Sequence, residues 1–200
     1  MKGLALLAAL ALGQEPLLPV PPGVWFELSF DVGAAVPVGT LAPGVSLASF
    51  VPPGFGTAVT GLVHLGPQLA VGAYVRVAGG HLAQAWSAAC GGCEGLDGSI
   101  GPLVRWSLPA GEGFEAWVAA SAGYAGLVSI DSDAFDYDGW DVGGGTGLDY
   151  RGWAPLALGV HLSGRWGAYV SSRVMPPFPP LAGPAWHGWI ELGFRLGVEL

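Results

Sequence analysis

The chain is poor in charge and almost without lysine. Lys2 is its one lysine, and Asp, Glu, Lys and Arg together make up 11% of 200 residues. An ordinary soluble domain carries about 25% charged residues. Disorder needs low hydrophobicity with high charge, and the hydrophobic fraction of 52% excludes it. Seven basic residues against 15 acidic give a net charge of −8 and leave no basic patch, so no nucleic acid is expected as a partner. What the chain has instead is glycine, 35 residues, and proline, 17. Both destabilise helices, which excludes a helix bundle. The length suits one good-sized domain.

Long apolar runs free of helix breakers are also missing, apart from the first dozen residues. Met1-Lys2-Gly3 is a short basic start, residues 4–12 are an unbroken Leu/Ala run, and Ala11-Leu12-Gly13 offers small residues where a signal peptidase reads. The run is too short to span a bilayer. Residues 1–13 therefore read as a secretory signal peptide. Residues 32–75 hold no Asp, Glu, Lys or Arg, yet Pro37, Pro43, Pro52, Pro53 and Pro67 interrupt them. No stretch there can cross a membrane as a helix. The other backbone solution inside a bilayer is a closed β-barrel.

A period of two decides between the remaining architectures. Phe26, Leu28, Phe30 and Val32 alternate with Glu27, Ser29 and Asp31. Ile190, Leu192, Phe194, Leu196, Val198 and Leu200 alternate with Glu191, Gly193, Arg195, Gly197 and Glu199. The same alternation marks 69–77, 100–108, 114–124, 154–162 and 166–174, and more weakly 56–65. These segments predict eight strands. Short turns are expected at 66–67, 109–113 and 164–165, and long loops at 37–54, 79–97, 130–149 and 175–184. Short turns at one end and long loops at the other is the plan of a transmembrane barrel.

No strand has Asp, Glu, Lys or Arg on its apolar face. The polar faces are expected to line a narrow, charge-paired lumen formed by Glu27, Asp31, Arg76, Arg105, Glu115, His161, Tyr169, Arg173, His187, Glu191, Arg195 and Glu199. Glycine and alanine at lumen positions make room for the arginines. Trp106, Tyr124, Trp166 and Trp186 fall near strand ends on the apolar faces, where they would form aromatic girdles. A soluble β-sandwich would also show a period of two, but would turn its charged faces outward and its apolar faces in. Its surface would be too poor in charge for good solubility.

The expected fold is all-β: an eight-stranded antiparallel transmembrane barrel, an up-and-down meander. On its signal segment, alternating strands and loop asymmetry, the chain resembles the small eight-stranded outer-membrane barrels of Gram-negative bacteria, of the OmpA and OmpX kind. Its last segment, Trp189 through Leu200, is similar to the C-terminal strand signal read by the barrel-assembly machinery, although that signal usually ends in an aromatic residue. The resemblance implies an outer-membrane location, contact with outer-membrane lipid, the assembly machinery as a biogenesis partner, and a monomer. It divides the chain into a signal peptide at 1–13, an N-terminal periplasmic segment at 14–22 and the barrel at 23–200.

Candidate chemistry is sparse. Cys90-Gly91-Gly92-Cys93 is expected to close a small disulfide within a loop, since two cysteines alone cannot hold zinc. The aspartates between Asp131 and Asp141 could ligate calcium, but their spacing does not fit an EF-hand, and a solvated acidic loop is the simpler reading. His161 and Ser163 form a His-x-Ser pair similar to that of barrel lipid A deacylases, yet both fall on the lumen face without a matching carboxylate. No cofactor or metal site is expected. The leading function is non-enzymatic, structural or adhesive through surface loops. The alternatives are a lipid-modifying enzyme and a narrow pore or carrier for small apolar solutes.

Overall fold

The computed structural model describes residues 24–130 and 132–200; the segments expected as a signal peptide (1–13) and a periplasmic segment (14–22) lie outside the described residues. Eight long strands form one antiparallel ring: β1 (Trp25–Ala42), β3 (Gly54–His64), β4 (Leu69–His81), β5 (Glu94–Gly111), β6 (Phe114–Ile130), β7 (Phe135–Trp153), β8 (Leu156–Val174) and β9 (Ala185–Glu199). β2 (Val45–Ser46) is a two-residue arm that folds back on the top of β1. Each strand pairs with the next, and β1 pairs with β9 to close the ring. Closure removes every unpaired edge, which a strand in lipid cannot tolerate. Among the described residues no helix is long and apolar enough to cross a membrane.

The register fixes the geometry. Phe26 pairs with Val63, then the path runs through Val71, Val104, Ala120, Gly144, Gly164 and Ile190. It returns to β1 at Val36, ten residues beyond its start. Eight strands with that stagger tilt by about 40°. A tilted strand of 19 residues, such as β8, then rises on the order of 45–50 Å, well beyond the ~25 Å apolar band of such barrels. The strands therefore run out of the band and into the regions expected to be loops.

The two faces differ as the alternation requires. Phe194 is 70% exposed on the outside while Arg105, inside, is 1% exposed. The outer surface is apolar between two sets of aromatics. Phe26, Trp106, Phe114 and Trp153 lie toward the short turns; Phe55, Tyr124, Trp140, Trp166 and Trp186 lie toward the loops. Trp140 meets Trp186 edge-on at 5.9 Å, covering Ala168 between them.

The strand count is eight, but several expected boundaries differ, two of them by most of a strand. Residues 164–165 are not a turn: β8 runs through them as one strand, which the sequence reading divides in two. Conversely, the expected loop 130–149 is mostly β7. The alternation of β7 is hidden because its inward residues include Gly143, Gly145 and Gly147 and its outward residues include Gly144. Glycine weakens an isolated strand, but here ladders on both sides hold the backbone in place. The β6–β7 connection is consequently brief, whereas 43–53, 82–93 and 175–184 remain long.

Candidate functional site: a charge-filled lumen beneath an apolar cap

The lumen holds two charge clusters. The lower one, near the short turns, is built around Glu27 of β1. Its carboxylate accepts from Arg105 Nη1 at 3.0 Å, Arg151 Nη2 at 2.7 Å, Arg195 Nη2 at 2.6 Å and His64 Nε2 at 3.1 Å. Asp149 accepts from Arg105 Nη2 at 2.8 Å and from Trp117 Nε1 at 3.0 Å. Arg105 and Arg195 also lie over the Trp117 ring, 5.0 and 5.2 Å from its centroid. Glu115 pairs with Arg105 at 2.7 Å, and Glu199 pairs with Arg151 at the mouth. Gly147 is needed here: a Cβ on it would stand 2.5 Å from the Trp117 ring.

The upper cluster is built around Arg76 of β4. Its Nη1 donates to Asp97 at 2.7 Å, and its Nε and Nη2 meet Glu191. The Tyr169 hydroxyl donates to Asp97, and His187 stacks on the Tyr169 ring at 3.8 Å. Beside this cluster Arg165 holds Asp141 at 2.9 Å and donates to the Tyr74 hydroxyl at 2.7 Å. Buried ions need partners of this quality, because removing water from each costs several kcal/mol. Between the clusters lies a cavity of about 90 Å³ that Asp31, His161 and Ser163 help to line.

The loop end is sealed by a different material. Leu41, Leu47, Phe50, Val51, Leu82, Phe135, Tyr137 and Phe178 pack into an apolar core above the upper cluster. Phe50, from a one-turn helix (Leu47–Phe50), meets Phe135 at 5.1 Å and Trp86 at 5.3 Å. Phe178 reaches the same group from the last loop, stacked on Trp86 at 6.0 Å. Cys90 and Cys93 are joined, with Cα atoms 5.7 Å apart, and Cys93 is buried against this core.

Of the twelve residues read as lumen groups, eleven point inward and take part in or border these clusters. Arg173 does not. A bulge at Val170, where Asp138 pairs with Ser171 but Gly139 with Tyr169, flips the alternation of β8 and turns Arg173 outward, opposite Asp136. The aspartates of the expected acidic loop separate in the same way. Asp141 points inward to Arg165, while Asp138 meets the Tyr124 hydroxyl. Among the described residues no three His, Cys, Asp or Glu side chains form a metal-binding group.

The sequence reading does not place Arg151, Asp149 and Asp141 in the lumen, since all three lie on β7. It also leaves out Arg165, assigned to a turn, Asp97, assigned to a loop, and His64 and Tyr74. Inward-facing Tyr74 is visible in the alternation of 69–77, on the same face as Arg76, and His64 in the weaker alternation of 56–65, so a stricter use of that pattern recovers both.

No protein-family model matches the sequence, and no curated relative does. Solved structures do. Neisserial surface protein A superposes with a TM-score of 0.60 at 15% identity, over 87% of this chain and 98% of that one. The outer membrane protein AlkL, determined in lipid bilayers, superposes with a TM-score of 0.51 at 16% identity, over 94% of this chain and 97% of that one. Ring closure, apolar exterior, polar interior and these superpositions lead to one conclusion: the chain has the fold of the small eight-stranded outer-membrane β-barrels.

Proposed function

We propose that this protein is a non-enzymatic barrel of the Gram-negative outer membrane whose long-loop end faces outward as a preformed binding or structural surface. The observation that carries the reading is closure at two levels. Among the described residues, salt bridges fill the lower lumen and an apolar core fills the top. The cap is a packed core rather than a set of free loops, and a binding surface benefits from such preorganisation. Export through a cleaved signal peptide at 1–13, handling by the barrel-assembly machinery and a monomeric state complete the proposal.

His161 and Ser163 line an interior cavity whose volume suits on the order of six water molecules. An acyl chain does not fit there, which speaks against lipid hydrolysis by this pair.

Two measurements test the reading. Reconstituted protein in planar bilayers is expected to show no discrete conductance. Cells expressing the protein are expected to adhere to a solid surface more than cells lacking it, and to lose that adhesion when residues 175–184 are replaced by a short Gly/Ser turn. Stable single-channel steps from the folded wild type would overturn the closed-barrel reading.

A further inference from the structure

We propose that the mid-lumen cavity binds one small monovalent anion, chloride or a related halide, against Arg195 and His161. The cavity wall decides the sign. Arg76, Arg105, Arg165 and Arg195 line it against two carboxylates, Asp31 and Glu191. Glu27, Asp97, Asp141 and Asp149 hold those arginines from elsewhere and form no part of the lining. Glu191 is itself held by Arg76. Asp31 is the ladder partner of Arg195, whose Nη1 lies 3.9 Å from its Oδ1. Cationic groups thus outnumber carboxylates around the space, in an interior where low dielectric strengthens every charge interaction.

Unmet donors are the second observation. Arg195 is 6% exposed, and among the described residues Nη2 alone of its nitrogens donates a hydrogen bond, to Glu27 at 2.6 Å. Its Nε is buried without an acceptor. His161 is 7% exposed, and its buried Nδ1 also lacks a partner, 3.7 Å from Asp31. The two side chains are diagonal neighbours, since Arg195 pairs with Gly159 and His161 with Gly193. Ser163 lines the same space, and Ser121 accepts from Arg165 at 3.2 Å, which leaves its own hydrogen to donate. Buried donors need acceptors. Water brings donors of its own to such a site, whereas an anion only accepts. Each arginine already answers a carboxylate outside the cavity, so the remaining demand suits a single charge rather than a phosphate or sulfate dianion. A volume of about 90 Å³ admits a halide with part of its water and no larger anion such as gluconate. Asp31 opposes the ion and so sets its affinity.

The test uses the refolded full barrel in detergent at constant sodium concentration. Its thermal unfolding midpoint is expected to be several degrees higher in sodium chloride than in sodium gluconate. H161L is expected to lose most of that difference and D31N to widen it, while D133N, outside the lumen, keeps it unchanged. Crystals grown in sodium bromide are expected to show an anomalous peak in the cavity beside Arg195 and His161. Equal midpoints in the two salts, an undiminished difference in H161L, a narrowed one in D31N, or a bromide-soaked cavity that holds water only would each overturn the proposal. Should either lumen variant fail to fold, the wild-type midpoints and the bromide peak decide it alone.

Discussion

Glu27 and Arg105, 78 residues apart in sequence, meet at 3.0 Å with side chains 0% and 1% exposed. The contact joins β1 to β5 through the lumen, between strands that share no ladder. It is the centre of a cluster in which one carboxylate serves three guanidiniums. Removing Glu27 takes the shared carboxylate from three buried guanidiniums, leaving Arg105 to Glu115 and Asp149 and Arg151 to Glu115 and Glu199. Glu27→Gln is therefore expected to destabilise the liposome-folded barrel by roughly 3–5 kcal/mol, read from urea unfolding.

Arg195 and Arg173 form a matched comparison, since the sequence pattern treats them alike and the structure does not. Arg195→Ala breaks the pairing with Glu27 and is expected to cost about 3–5 kcal/mol. Arg173→Ala touches an exposed side chain beyond the bulge and is expected to stay within about 0.5 kcal/mol. Equal losses in the same unfolding experiment would place Arg173 back in the lumen.

Leu162 is 50% exposed between the two aromatic sets. Leu162→Arg puts a charge into the hydrocarbon and is expected to cost about 2–4 kcal/mol in liposomes. Ala58→Ser, beside the interior cavity, is expected to cost under about 1 kcal/mol. A reversed order would mean that the faces are inverted.

Phe178 binds the last loop to the cap through Phe50, Phe135 and Trp86. Phe178→Ala is expected to cost about 3–5 kcal/mol of cap packing. The loss is local, so limited proteolysis should cut within 175–184 while the barrel keeps its heat-modifiable migration. Cleavage at an unchanged rate would mean that the cap is held by something else.

Joining Cys90 to Cys93 closes a loop of four residues, and chain entropy gives such a closure about 2 kcal/mol. Unreduced protein unfolded in iodoacetamide is expected to gain no adduct, and reduced protein two. Cys93→Ser is expected to raise cleavage of 82–93 with little change in barrel unfolding.

The ring was legible because most strands separate a lipid-facing set from a lumen set, and charge sorts strictly between them. Phe26 through Val32 and Ile190 through Leu200 carry that signal without ambiguity. β7 was not legible, because glycine at 143, 144, 145 and 147 leaves no side chains to alternate. Its loss took Asp141, Asp149 and Arg151 with it, and the division of β8 at Gly164 concealed Arg165. The strand total of eight thus combined one strand unseen with one counted twice. The cap was illegible for a different reason. Phe50, Trp86 and Phe178 come from three separate connections, and no local pattern says that they meet. Nor does alternation foresee a bulge, which is why Arg173 was misplaced.

The surplus length of the strands has a consequence for encounters at the cell surface. β6 continues beyond Tyr124 and β8 beyond Trp166, so the strands carry the aromatic core of the cap past the loop-side aromatics on a stiff β-sheet collar. A large partner approaching the membrane would touch that crown first, at a fixed height and orientation.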